Sequence, residues 1–235
     1  MWVVALTLLV GLALCSRSVL ADSSHEIIQT NVRVLIEDLD DQDPYKRRVA
    51  AEALGEFGRG ARIAVGPLTR ILNDKMANVR SSAADALGRI GADANVAVPA
   101  LILSLGDPEP RVRLTVTASL NQFRKKAAII APALAELLDD PNESVRLAAA
   151  GSLGGLGSEA VIVLRDTLQN HPDLSVRVTA IAALGSTGIY AERALPELLA
   201  ALDQPVGDMR RVAAMALGKI ASDPTWPETG PWVAN

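Results

Sequence analysis

Val79-Arg80-Ser81-Ser82-Ala83-Ala84-Asp85-Ala86-Leu87-Gly88 is the stretch on which the fold turns. It places an Arg seven residues ahead of a Leu in an Ala-rich run, and that pattern recurs along the chain. The Leu returns as Leu54, Leu87, Leu120, Leu153, Leu184 and Leu217, at spacings of 33, 33, 33, 31 and 33. The Arg returns with it as Arg47, Arg80, Arg113, Arg146, Arg177 and Arg210. Six matches in one register mark a repeat array.

Each unit reads as two helices. In the second, Val79, Ala83, Ala86, Leu87 and Ile90 share one face of a 3.6-residue period. Asp107-Pro108 and Asp140-Pro141 are expected to open this helix, the Asp as N-cap. Gly55, Gly88, Gly154, Gly185 and Gly218 are expected to close it as left-handed C-caps. The first helix is expected to begin near Pro67, Pro99, Pro132 and Pro196, and it carries Leu137-Leu138 and Leu198-Leu199. Ser23 and Glu26 have capping-box spacing ahead of repeat one. The expected fold is an all-α solenoid of six helix pairs over residues 22–221, with repeats ending near 58, 91, 124, 157, 188 and 221.

The shared pattern Pro-x-Leu, Leu-x-Asp, Val-Arg-x-x-Ala-x-x-Ala-Leu-Gly resembles the short HEAT-like repeats of phycobilin lyases and their relatives, from Ile27 to about Ala221. The Thr-Pro-Leu-His of ankyrin repeats is absent, as is the tetratricopeptide pattern. The resemblance implies a superhelix in which the Arg ladder pairs with loop acids such as Asp74, Asp107 and Asp140. On a helical wheel each Arg lies about 20° from its Leu, at the seam between repeats, so the ladder reads as structural rather than as a partner site.

The composition bounds the partners. The 235 residues are 49% hydrophobic and only 3% aromatic, with a net charge of −4. Small aliphatic side chains suit helix-on-helix layers. A nucleic-acid binder normally shows a basic excess, so nucleic acid is disfavoured. Residues 1–21 read as an export signal: the apolar run Trp2 to Cys15 is short for a membrane span of about 20 residues, and Val19-Leu20-Ala21 fits a cleavage site. The alternatives are an uncleaved anchor and a lipoprotein through Cys15, although Leu14 departs from a lipobox. The expected location is outside the cytoplasm, periplasmic or secreted.

Catalytic groups are sparse. His25-Glu26 resembles one of the His-Glu pairs of deoxyhypusine hydroxylase, an iron enzyme that needs several. His171 precedes Pro172 in an inter-helix turn. Glu52 and Asp85 occupy equivalent outward positions and read as a solvated face. Neither a catalytic constellation nor a metal or cofactor site is expected.

The outward positions of the second helices are more informative. Six residues before the Leu stand Arg48, Ser81, Leu114, Leu147, Val178 and Arg211, and two before it Glu52, Asp85, Ala118, Gly151, Ala182 and Met215. Leu114, Leu147, Val178, Ala118, Gly151 and Ala182 are therefore expected to form a central apolar stripe on the concave face. A protein partner, a homodimer seam and plain packing are its three readings. Arg124-Lys125-Lys126 reads as a solvated basic loop, and the glycines 151, 154, 155 and 157 mark a candidate bend. Residues 222–235, with Trp226 and Trp232, are a candidate C-terminal cap. The expected function is a non-enzymatic interaction scaffold. The alternatives are a bilin-lyase-like subunit or chaperone component and, third, a repeat-based metalloenzyme.

Overall fold

The computed structural model describes residues 26 and 28–224. Residues 1–25, which include the expected export signal, Cys15, Ser23 and His25, lie outside them, as do residue 27 and the tail from residue 225 onward. Among the described residues the chain is all-α, in alternating first and second helices. The first helices are α1 (28–38), α3 (Val65–Ile71), α5 (Ala94–Ser104), α7 (Ala127–Glu136), α9 (Ser158–Asn170) and α11 (Leu195–Leu202). The second helices are α2 (Pro44–Glu56), α4 (Ala77–Ile90), α6 (Pro110–Leu120), α8 (Glu143–Gly154), α10 (Leu174–Leu184) and α12 (Gly207–Ala221).

The chain divides into two compact units at Ala92 and Asp93. The first holds α1 to α4, with α2 and α3 both packed on α4. The second holds α5 to α12: each first helix packs on its own second helix, and α6, α8, α10 and α12 pack on one another in sequence. The glycine-rich junction of repeat four thus lies inside the second unit.

The 3.6-residue reading holds at the core. Val79, Ala83, Ala86, Leu87 and Ile90 are all buried, and Leu54, Leu120, Leu153 and Leu184 are fully so. Leu217 alone of its series is half-buried, having no following repeat among the described residues to cover it.

Three expectations about helix ends are corrected. The Asp-Pro pairs do not open the second helices. The N-caps are Glu109 and Asn142, and Asp107 and Asp140 stand two residues earlier, each accepting the cap residue's amide at 2.9 and 2.8 Å. The carboxylates build an Asx-type turn instead of a cap. Two of the four prolines of the first helices do not mark their starts either. Pro99 and Pro132 lie within α5 and α7, whereas Pro67 and Pro196 sit in the first turns of α3 and α11.

The third correction concerns glycine. The glycines with positive φ among the described residues are Gly58, Gly91, Gly157 and Gly188, four after the repeat Leu, whereas Gly55, Gly154 and Gly185 are helical or nearly so. The latter group serves close packing. A Cβ on Gly55 would lie 3.1 Å from the Ala86 Cα, and one on Gly185 only 2.7 Å from the Ala216 Cα. Where repeat three carries Asn121, its Nδ2 donates to Ser152 Oγ at 3.0 Å, so a polar contact replaces the Gly–Ala crossing.

Repeat five breaks the register. The buried Ile130, Ala131, Leu134 and Leu138 recur as Ala160, Val161, Leu164 and Leu168, thirty residues on rather than thirty-three. The shortening falls between α8 and α9, where Gly157 leads directly into the helix. One residue is regained between α9 and α10, in the loop holding His171.

Candidate functional site

The loop ahead of each second helix and the Arg one turn inside that helix form a unit. Arg47 Nη1 donates to the carbonyls of Asp41 and Gln42 at 2.9 and 3.1 Å, which ties the Arg to its own loop. Arg80, Arg113, Arg146 and Arg210 make the same pair of bonds. The other edge of the guanidinium reaches the next loop. Arg47 Nε and Nη2 donate to both oxygens of Asp74 at 2.6 and 2.9 Å, and Arg113 Nε and Nη2 to both oxygens of Asp140 at 2.7 Å each.

Both pairs are charge-assisted and bidentate; Arg113–Asp140 is buried, its side chains being 9% and 4% exposed, and Arg47–Asp74 is half-buried. Burial pushes the Asp140 carboxyl upward. The Arg113 guanidinium, the Asn142 amide and the charges of Arg113 and Arg146 outweigh it and hold the group below its usual range. Asp74 is likewise pushed up by burial and held low by Arg47, the Met76 amide and the neighbouring charges. In these two repeats the Arg ties its own loop to the next one.

The ladder changes character after Asp140. The loop position that should serve Arg146 is His171, whose Nδ1 accepts the Asp173 amide at 3.2 Å. His171 thus keeps the turn-building task of the Asp. An imidazole cannot present to Arg146 the two coplanar oxygens that Asp74 and Asp140 present to Arg47 and Arg113. The position serving Arg177 is Gln204, which is exposed. Among the described residues no acceptor meets Nε or Nη2 of Arg146, and none meets the Arg177 side chain, whose Nε is buried. The sequence shows the loss of Asp at 171 and 204; the expectation of a uniform ladder passed over it.

The candidate stripe lies on this same unit, one residue along from the Arg series. Leu147 is 63% exposed, and Ala118, Gly151 and Ala182 are exposed, with nothing within 4 Å of a Cβ placed on Gly151. Met215 extends the row at 63%. Leu114 and Val178 are only half-buried, and Ser81 is buried, against the expectation that this series points outward. The reason is geometric: six residues before the Leu is about 120° round the helix, where the neighbouring second helix begins to cover the side chain. The first helices also expose apolar side chains that the stripe argument missed, among them Val96, Leu103, Ile129 and Ile162.

The remaining candidates are solvated. Glu52 pairs with Arg48 and accepts from Ser82 at 2.9 Å, and Asp85 lies 3.7 Å from Arg89. Arg124, Lys125 and Lys126 sit in the 3₁₀ segment Asn121–Lys126, anchored by buried Phe123. A cleft of about 410 Å³ between α7 and α9 is lined by Glu136, Asp139, Asp166 and His171 among others. Among the described residues no three His, Cys, Asp or Glu side chains are grouped to hold a metal ion. None of the described helices is long and apolar enough to cross a membrane.

A profile of HEAT repeats matches residues 32–121 and 130–218. The chain belongs to the HEAT-repeat family. Among solved structures it is similar to the complex of CpcE and CpcF of phycocyanin lyase from Nostoc sp. PCC7120. The identity is 29% over 80% of this chain and 76% of that one, with a TM-score of 0.52. An engineered protein shares the fold at 22% identity over 82% and 97% of the two chains, TM-score 0.53. A Kap121p mutant shares it at 16% identity over 80% and 23%, TM-score 0.53. No curated protein matches the chain. The resemblance read from the Leu and Arg registers thus stands for both family and fold.

Proposed function

We propose that this HEAT-repeat chain is a non-enzymatic interaction scaffold, exported from the cytoplasm, that binds a protein partner along the second helices of its second unit. The observation that carries the reading is the row of exposed positions on α6, α8, α10 and α12. Ala118, Gly151, Ala182 and Met215 recur there once per helix, and Leu147 stands beside them. Small residues keep the row low, so an apolar segment can lie close to the helices, and exposed apolar rows of this kind often mark interaction sites. The apolar run Trp2 to Cys15 and the small-residue pattern Val19-Leu20-Ala21 support the location.

The test replaces Leu147 and Met215 together with Asp in the full chain. Captured partners should be lost with the melting temperature unchanged; retention of every partner contradicts the reading. The mass of the mature protein, starting at residue 22, tests export.

A second reading has one observation in its favour, the 29% identity to the phycocyanin-lyase complex. The chain would then be a lyase-like subunit or chaperone component. Co-expression with bilin separates the two readings, since a bound chromophore gives visible absorbance and a plain scaffold does not.

A further inference from the structure

We infer that the outer end of repeat six is a docking face for the chain's own segment 225–235, with Trp226 and Trp232 seated against α12 and α11. The face consists of Leu199, Leu202, Ala214, Leu217 and Gly218. Docking there would close the end of the array and keep it from stacking on a second molecule, the task of a terminal cap in a repeat protein.

The same positions in earlier repeats are covered. Leu54, Leu87, Leu120, Leu153 and Leu184 are fully buried, whereas Leu217 is half-buried. Three residues before the Leu, Ala51, Ala84, Thr117 and Ile181 are buried and Ala150 half-buried, but Ala214 is exposed. A Cβ on Gly185 would lie 2.7 Å from the Ala216 Cα, while one on Gly218 meets nothing within 4 Å. On the first helices Leu72, Leu105, Leu138 and Leu168 are buried and Leu202 only half-buried. Leu199 is 50% exposed, at the position where Arg165 of the preceding repeat reaches forward to Glu197. Ala214 and Gly218 keep the α12 side of this apolar face low, which suits a flat indole ring, a side chain that buries about 150–250 Å².

The chain that follows α12 has the length and the chemistry to cover it. Segment 225–235 carries Trp226 and Trp232, two of the three tryptophans of the sequence, and its Pro227 and Pro231 do not allow a further helix pair. Trp226 lies four residues past Ser222, a reach of about 13 Å. Leu217 and Ala214 lie about 8 and 12 Å back along α12 from the same point. Trp232 follows six residues later, a further reach of about 20 Å. Helices α11 and α12 pack on each other, and packed helices lie about 8–10 Å apart, so Leu199 and Leu202 fall within that reach.

The test uses the full chain with Trp2→Phe, which leaves Trp226 and Trp232 as the only indoles. A synthetic peptide of residues 225–235 is the solvated reference. The emission maximum of the chain should lie to the blue of the peptide's, with slower quenching by acrylamide. The double variant Ala214→Asp/Gly218→Asp puts two carboxylates on the face at exposed positions. It should move the emission to the peptide's position with the helical circular dichroism unchanged. Leu199→Asp, on the α11 side, should move it part of the way, and it keeps the test intact if the double variant fails to fold. Emission and quenching equal to the peptide's in the starting chain overturn the inference. A blue-shifted emission that survives these variants overturns the choice of face. Protection that rises with protein concentration, alongside a dimer in sedimentation, gives the face to a second copy and also overturns it.

Discussion

Arg113 and Arg177 occupy the same position in repeats two apart, and they differ both in the loop carbonyls and in the carboxylate they meet. Arg113 makes four hydrogen bonds inside the protein, to two loop carbonyls and both oxygens of the Asp140 carboxylate. Arg177 has no acceptor among the described residues. The first is a strut between repeats; the second, among the described residues, is fastened at neither end. The comparison teaches that a repeat register preserves a residue longer than it preserves the partner that gave the residue its task.

The largest contrast should appear on removing the acid. Asp140→Ala leaves Arg113 buried and uncompensated, and should cost about 3 kcal/mol, the lower end for a buried pair broken on one side. Denaturant unfolding measures it. Arg177→Ala, by the same assay, should cost far less, since no pair is broken. Equal losses would erase the distinction between the two positions.

Glycine at the crossings comes next. Gly185→Val drives a side chain into the Ala216 backbone and should destabilise by about 1–3 kcal/mol. Gly151→Ala meets open space in a helix and should stabilise by up to about 1 kcal/mol. A loss at Gly151 would show that the row is covered in the free protein.

Acid should weaken the paired repeats selectively. Asp74 and Asp140 have folded-state pKa values below the unfolded value of about 3.9. Their contribution is therefore present above that value and is lost as the pH falls through the folded ones. Asp74→Asn and Asp140→Asn should flatten the decline of stability below about pH 4, while His171→Gln should leave that part of the profile unchanged.

Much of this was legible in the sequence. The Leu, Val and Arg registers report burial, and burial repeats because every repeat stacks on the next. Glycine was misread because a packing glycine and a C-cap glycine look alike in a string. The second series, four after the Leu, was the one with positive φ. Asp140 was misread as a cap because Asp-Pro satisfies cap preference, whereas the Arg from the preceding repeat, 27 residues away, recruits it. The exposure of Leu147 against the half-burial of Leu114 and Val178 depends on how neighbouring second helices cover one flank, which a single-helix wheel omits.

The central claim is that Arg177 lacks, among the described residues, the carboxylate that Asp140 supplies to Arg113, and that position 204 is where the repeat register would supply it. A thermal-melt double-mutant cycle between Gln204→Asp and Arg177→Gln tests it most directly. The account predicts that Gln204→Asp raises stability by about 1 kcal/mol, or about 2–4 °C in Tm for a chain of this size, and that the gain vanishes when Arg177 is Gln. A gain that persists without Arg177, or no gain at all, would contradict it.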